Sequence, residues 1–154
     1  MRKIHSLVPV LIILSISSLW AQNPIQYKVV TVVESIVPAG LGRSRLIETK
    51  TDFEIEDFTT ERTDGKKSDQ KEIKRKDAKA DEFEESKLLN FYSVTGINFQ
   101  NIASNDALIT SKLNQLSEEG WELLYVTSGV ESDSGEKDGN GIYITRFIFK
   151  KIEL

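Results

Sequence analysis

The chain has 154 residues and a formal net charge of −4, with 39% hydrophobic and 29% charged residues, no cysteine and one histidine. That length makes one domain, and the missing cysteine excludes disulfides and cysteine-ligated metal, so stability must come from an apolar core. Twenty Lys and Arg against 24 Asp and Glu give no global attraction to nucleic acid or anionic lipid.

The first residues have the layout of a secretory leader. Arg2 and Lys3 make a positive start, Leu7 to Leu19 is a mostly apolar run, and Ala21 is the small residue before a polar stretch. The run is shorter than the ~20 residues of a spanning helix, which argues against a stable membrane anchor. The expected product is exported, periplasmic or extracellular, with cleavage after Ala21. Cleavage leaves 18 bases against 24 acids, a net charge of −6, over 133 residues, and removes His5. The expected mature chain, residues 22–154, therefore lacks both imidazole and thiol. It has no means for Ser-His-Asp or Cys-His nucleophilic chemistry, a histidine general base, or a His- or Cys-ligated zinc or haem. It is long enough to bury roughly 65–70% of its unfolded surface without a staple.

Tyr27 to Glu34 is rich in β-branched residues and predicts a strand. Tyr27, Val29, Thr31 and Val33 share one face, Val30 and Val32 the other, and two apolar faces imply a central position. Pro38, Gly40 and Gly42 end it near Val37. Leu46 to Phe58 alternates weakly, with Phe53 and Ile55 between acids, as a half-exposed edge strand would. From Glu61 to Lys87, 18 of 27 residues are charged, nine of each sign. Bases precede acids, opposite to the preference of a helix dipole, and Lys71/Arg75 and Asp81/Glu85 are like-charge pairs four apart. This stretch is expected to be a charged, flexible insertion with no core role.

Phe91 to Phe99 fits a short strand or packed loop. Ser104 or Asn105 can then cap a helix whose Ile109, Leu113 and Leu116 form one stripe, ending at Gly120 in the left-handed conformation. Trp121 to Val130 predicts a strand with Trp121, Leu123 and Tyr125 opposite Leu124 and Val126. Ile142 to Ile152 predicts another, joined to it by a polar, glycine-bearing connection.

Three pieces carry a resemblance: Tyr27-Lys28-Val29-Val30, the run from Leu113 to Leu124 (LNQLSEEGWELL), and the closing Phe147-Ile148-Phe149-Lys150-Lys151. Together they are similar to small bacterial domains of unknown function patterned YKVV, then LNxLxxEGWEL, then an aromatic last strand. The resemblance covers about half of the expected mature chain and implies a β-α-β-β core with antiparallel pairing. Residues from Ile36 to about Ser104 depart from it as an insertion. It carries no activity.

Several side-chain groupings invite a chemical reading. Pro38 to Arg45 combines glycines with Arg43 and Arg45, whose forked donors suit a carboxylate, phosphate or sulfated sugar, but it lacks the GxGxxG spacing and no helix signal follows it, which favours a tight turn with two solvated arginines. Glu131, Asp133, Glu136, Asp138 and Asn140 offer oxygens for calcium but fail the EF-hand spacing, which favours a plain hairpin connection. Ser68 to Lys71 matches S-x-x-K within the charged stretch, without a preorganised oxyanion site. Seven bases between Lys66 and Lys79 against three acids suit a tether to anionic surface polymers, or simply a polyampholyte linker; interleaved acids disfavour nucleic acid.

The expected fold is α+β: an antiparallel sheet of three to five strands, some from the inserted region, with one packed helix. The expected function is a non-enzymatic exported binding or interaction domain, without cofactor or metal, whose partner is an envelope protein or an anionic surface polymer. The alternative is a histidine-free carboxylate hydrolase or a calcium-dependent carbohydrate binder.

Overall fold

The structure is a computed structural model that describes residues 24–36, 43–130 and 141–153. The expected leader with its cleavage after Ala21, the glycine-bearing segment 37–42 and the acidic segment 131–140 considered for calcium lie outside the described residues.

Among the described residues, seven strands and one α-helix follow one another as β1 (Ile25–Ser35), β2 (Arg45–Thr49), β3 (Phe83–Lys87), β4 (Tyr92–Ser93), β5 (Gly96–Ile97), α1 (Phe99–Glu118), β6 (Glu122–Val130) and β7 (Ile142–Ile152). Five strands form one sheet in the order β3-β2-β1-β7-β6, and β4 and β5 form a separate small hairpin. Every pairing is antiparallel. The fold is α+β with a single packed helix, and its centre has the order β1, α1, β6, β7.

β1 is central, as its two apolar faces require. It pairs with β7 along its whole length, from Ile25 opposite Ile152 to Ser35 opposite Ile142, and with β2 through Val30 to Val33. Val30, Val32, Leu46, Leu88, Leu116 and Phe149 make the buried core, with Ile109, Leu113, Trp121 and Phe147 packed around it. All of this core lies between the sheet and α1.

The helix starts earlier than its apolar stripe indicates. Asn98, not Ser104 or Asn105, is the cap: its Oδ1 accepts the Asn101 backbone N–H at 3.1 Å. The first turn gives no periodic signal because Phe99 is exposed. Asn105 is instead wholly buried inside the helix. Its amide donates to the Leu89 carbonyl (2.7 Å) and Glu34 Oε1 (3.1 Å), and its Oδ1 accepts the Leu89 N–H (2.8 Å). One side chain thus ties helix, sheet and the approach to β4 together, with no polar atom stranded. At the other end Gly120 takes φ +87° and ends the helix. Lys151 Nζ donates to the Glu119 carbonyl at 2.8 Å, so a cation from β7 offsets Glu118 and Glu119 at the negative helix end.

β2 is an interior strand rather than an edge, and it stops at Thr49. The edge is β3, drawn from the end of the charged segment; all five of its residues are exposed. Between them the chain makes an excursion with two short 3-10 turns, Ile55–Phe58 and Gln70–Glu72. Its mouth is latched: Lys50 N–H donates to the Glu82 carbonyl, and Thr51 Oγ1 donates to the same carbonyl and accepts the Glu82 N–H. No residue from 61 to 87 is buried.

A β-bulge between Leu123 and Tyr125 changes the expected facing of β6. Leu123 lies opposite Phe149 and Val126 opposite Phe147, on the helix side, whereas Tyr125 lies opposite Ile148 on the other side. Leu123 and Tyr125 therefore do not share a face.

Candidate interaction surface

With α1 on one side, the other side of the sheet has no covering layer among the described residues. Opposite residues of an antiparallel pair share a face, so the registers define this surface. Continued one residue past Val30 and Glu48, the β1–β2 register sets Thr49 beside Val29, so that one row runs across all five strands as Phe83, Thr49, Val29, Ile148 and Tyr125. The next holds Glu85, Ile47, Thr31, Arg146 and Thr127, and the one after it Lys87, Arg45, Val33, Ile144 and Gly129. Tyr27, Ile25 and Ile152 extend the apolar part at one end. A one-sided antiparallel sheet normally turns polar residues to water. Here Tyr27 is 63% exposed, Tyr125 61%, Ile152 54% and Phe83 48%, so the face is apolar and open.

Its charges are uneven. Arg45 pairs with Glu85 at 3.3 Å and Lys150 with Glu122 at 3.2 Å. Lys87 and Arg146 have no ion pair among the described residues, which leaves a surplus of two positive charges on a chain that is acidic overall. Arg146 is exposed and lies between Thr31 and Thr127, one row from Tyr125.

The helix side holds the strongest electrostatic feature. Glu48 on β2 is 1% exposed. Its Oε1 accepts from Lys28 Nζ at 2.6 Å and Lys50 Nζ at 3.2 Å, while Lys112 Nζ of α1 lies 2.5 Å from Oε2 as an off-axis ion pair. Burial pushes the Glu48 carboxyl up, but the ammoniums of Lys112, Lys28 and Lys50 outweigh it and hold the pKa at about 2. The same hydrogen bond to Glu48 raises the Lys50 pKa. Lys28 Nζ also lies 4.8 Å from the Trp121 ring centroid, and Lys151 Nζ 5.7 Å. An open cleft of about 660 Å³ beside Trp121 is lined by Lys28, Lys50, Thr49, Asp52 and their neighbours. A carboxylate held this firmly ionised is no general acid near neutral pH. Its role is to pin helix to sheet.

The residues singled out from sequence do not converge. Arg45 sits on the open face engaged with Glu85, and Arg43 is exposed just before β2. The other residues of their loop, and the acidic connection considered for calcium, lie outside the described residues. Ser68 Oγ accepts the Gln70 N–H at 3.4 Å, and the bases from Lys66 to Lys79 are all exposed. Among the described residues, no three His, Cys, Asp or Glu side chains are grouped to hold a metal. Sequence reasoning missed Arg146, Tyr125 and Glu48. The alternation in Tyr27-Val29-Val33 and Ile144-Ile148-Ile152 was the available signal for the open face. No protein-family model, curated protein or solved structure matches the chain.

Proposed function

We propose that this chain is an exported, non-enzymatic interaction domain that docks an acidic, partly apolar protein partner, such as an envelope protein, on its uncovered sheet face. The observation that carries the reading is the row Phe83, Thr49, Val29, Ile148 and Tyr125, apolar but for Thr49, beside Arg146, which has no ion pair among the described residues. Soluble monomers rarely leave an apolar patch larger than a few hundred Å² in water, and larger ones mark binding surfaces. The positive surplus selects an acidic partner over a basic one. Export rests on the Arg2-Lys3, Leu7–Leu19 and Ala21 layout.

The test is a set of extended peptides alternating apolar residues with either glutamate or lysine, titrated calorimetrically against the protein. The glutamate set should bind and the lysine set should not. Arg146→Glu cancels the surplus of two and should abolish that preference while leaving the melting transition in place. Equal binding of both sets, or none to a folded protein, would overturn the reading. Turnover of a glycan or ester panel that a single carboxylate substitution abolishes would overturn it in favour of a hydrolase.

A further inference from the structure

The two edges of the five-stranded sheet are built in opposite ways. β3 is short, and three of its five residues, Glu84, Glu85 and Lys87, are charged. Short, charged edges are how proteins prevent their backbones from pairing with other chains. β6 is nine residues long, and beyond Glu122 it carries no charge and no proline. Its bulge, a device that protects edges, sits near its start and leaves Tyr125 to Val130 as a regular six-residue stretch. All nine residues are exposed.

We propose that β6 pairs antiparallel with β6 of a second copy, joining two five-stranded sheets into one of ten strands. Opposite residues of an antiparallel pair share a face, so a two-fold axis normal to the sheet must pass midway between the two copies of one residue. With the axis at Thr127, Thr127 meets its own equivalent, Val126 meets Ser128, and Tyr125 meets Gly129. Threonine pairs and an aromatic ring laid over a glycine are both favourable cross-strand neighbours. No like charges are opposed, because this six-residue stretch has none.

Leu123, Leu124, Tyr125, Val126 and Val130 are 42–61% exposed, so the strand is open along its length. Pairing covers the flanks of these side chains and satisfies the outward backbone groups, and main-chain hydrogen bonds supply most of the attraction. The pairing keeps both helices on one side and both open faces on the other. It stands independently of what docks on the open face.

The absence of cysteine makes the test direct. Sedimentation or light scattering of the intact protein should give the mass of a dimer. Thr127→Cys should form a disulfide-linked dimer under mild oxidant, whereas Glu85→Cys on the β3 edge should not. Thr127→Lys places two ammoniums beside the axis and should give a monomer that still unfolds in one cooperative transition, at a melting temperature that no longer depends on protein concentration. A monomer at every concentration, a dimer that crosslinks through Glu85→Cys or Ile148→Cys instead, or a Thr127→Lys protein that remains dimeric would overturn the proposal. So would a wild-type monomer whose β6 amides are protected only when an unrelated extended peptide is added.

Discussion

Lys112 of the helix holds its ammonium 2.5 Å from Oε2 of Glu48, a carboxylate that is 1% exposed in the interior strand β2. This contact joins the two layers at a point where neither partner can be removed alone. Burying a charge is costly, and only its opposite charges offset that cost.

The stability of the fold should therefore depend on acid in a specific way. Glu48 ionises at about 2 in the folded chain against an ordinary value of 4.5. Its contribution is fully present above 4.5 and is lost as the pH falls from there toward 2. On the order of 2 kcal/mol should disappear over that window, after discounting for water around Lys50. Urea unfolding between pH 7 and pH 2 measures this. Glu48→Gln should be destabilised by about 3 kcal/mol at pH 7. It should also lack this part of the acid dependence, and an unaltered profile would mean that other carboxylates govern it.

Asn105→Ala should cost about 3 kcal/mol in chemical denaturation. It strands the Leu89 N–H and carbonyl and removes the partner of Glu34 Oε1. Asn105→Asp keeps the acceptor for Leu89 N–H but sets a second carboxylate beside Glu34. It should be at least as destabilising near neutral pH and should recover in part in mild acid.

Gly120→Ala tests the helix end. The added methyl would meet Lys151 Cε at 3.6 Å, an ordinary contact, so the penalty is the φ of +87° alone. A loss of ~1–2 kcal/mol is expected, and Gly120→Asn should lose less because asparagine tolerates this conformation better. A neutral Gly120→Ala in thermal unfolding would contradict the geometry.

The two faces of the sheet should respond differently to truncation. Phe149→Ala empties a site that is 2% exposed and should cost about 3–5 kcal/mol. Tyr125→Ser, at a side chain 61% exposed, should stay within ~1 kcal/mol of wild type. Calorimetric melts of the two variants separate core from surface.

Much of the framework was legible in the chain. The β-branched run ending at Glu34 and the aromatic run ending at Ile152 are strands because their side chains suit a pleated surface, and Gly120 stops the helix because it tolerates positive φ. Other features were hidden for identifiable reasons. Asn98 caps the helix ahead of an exposed Phe99, so no apolar period announces the first turn. β2 reads as an edge because its outer partner comes from a segment dense in charge, where only Phe83 hints at a strand. The two apolar faces of β1 correctly mark its place in the sheet but not that one of them is uncovered. Glu48 looks like any other acid, because Lys28, Lys50 and Lys112 reach it from three separate parts of the chain. The bulge that turns Tyr125 to the open side depends on pairing with β7, which local alternation cannot register.

The latch between Thr51 and Glu82 closes a long detour on itself before it reaches the sheet. Closure entropy grows only with the logarithm of length, by about 0.6 kcal/mol per doubling. Residues 52–81 are accordingly a natural graft point. A tight turn, an epitope or a whole guest module spliced there inherits a clasp already formed.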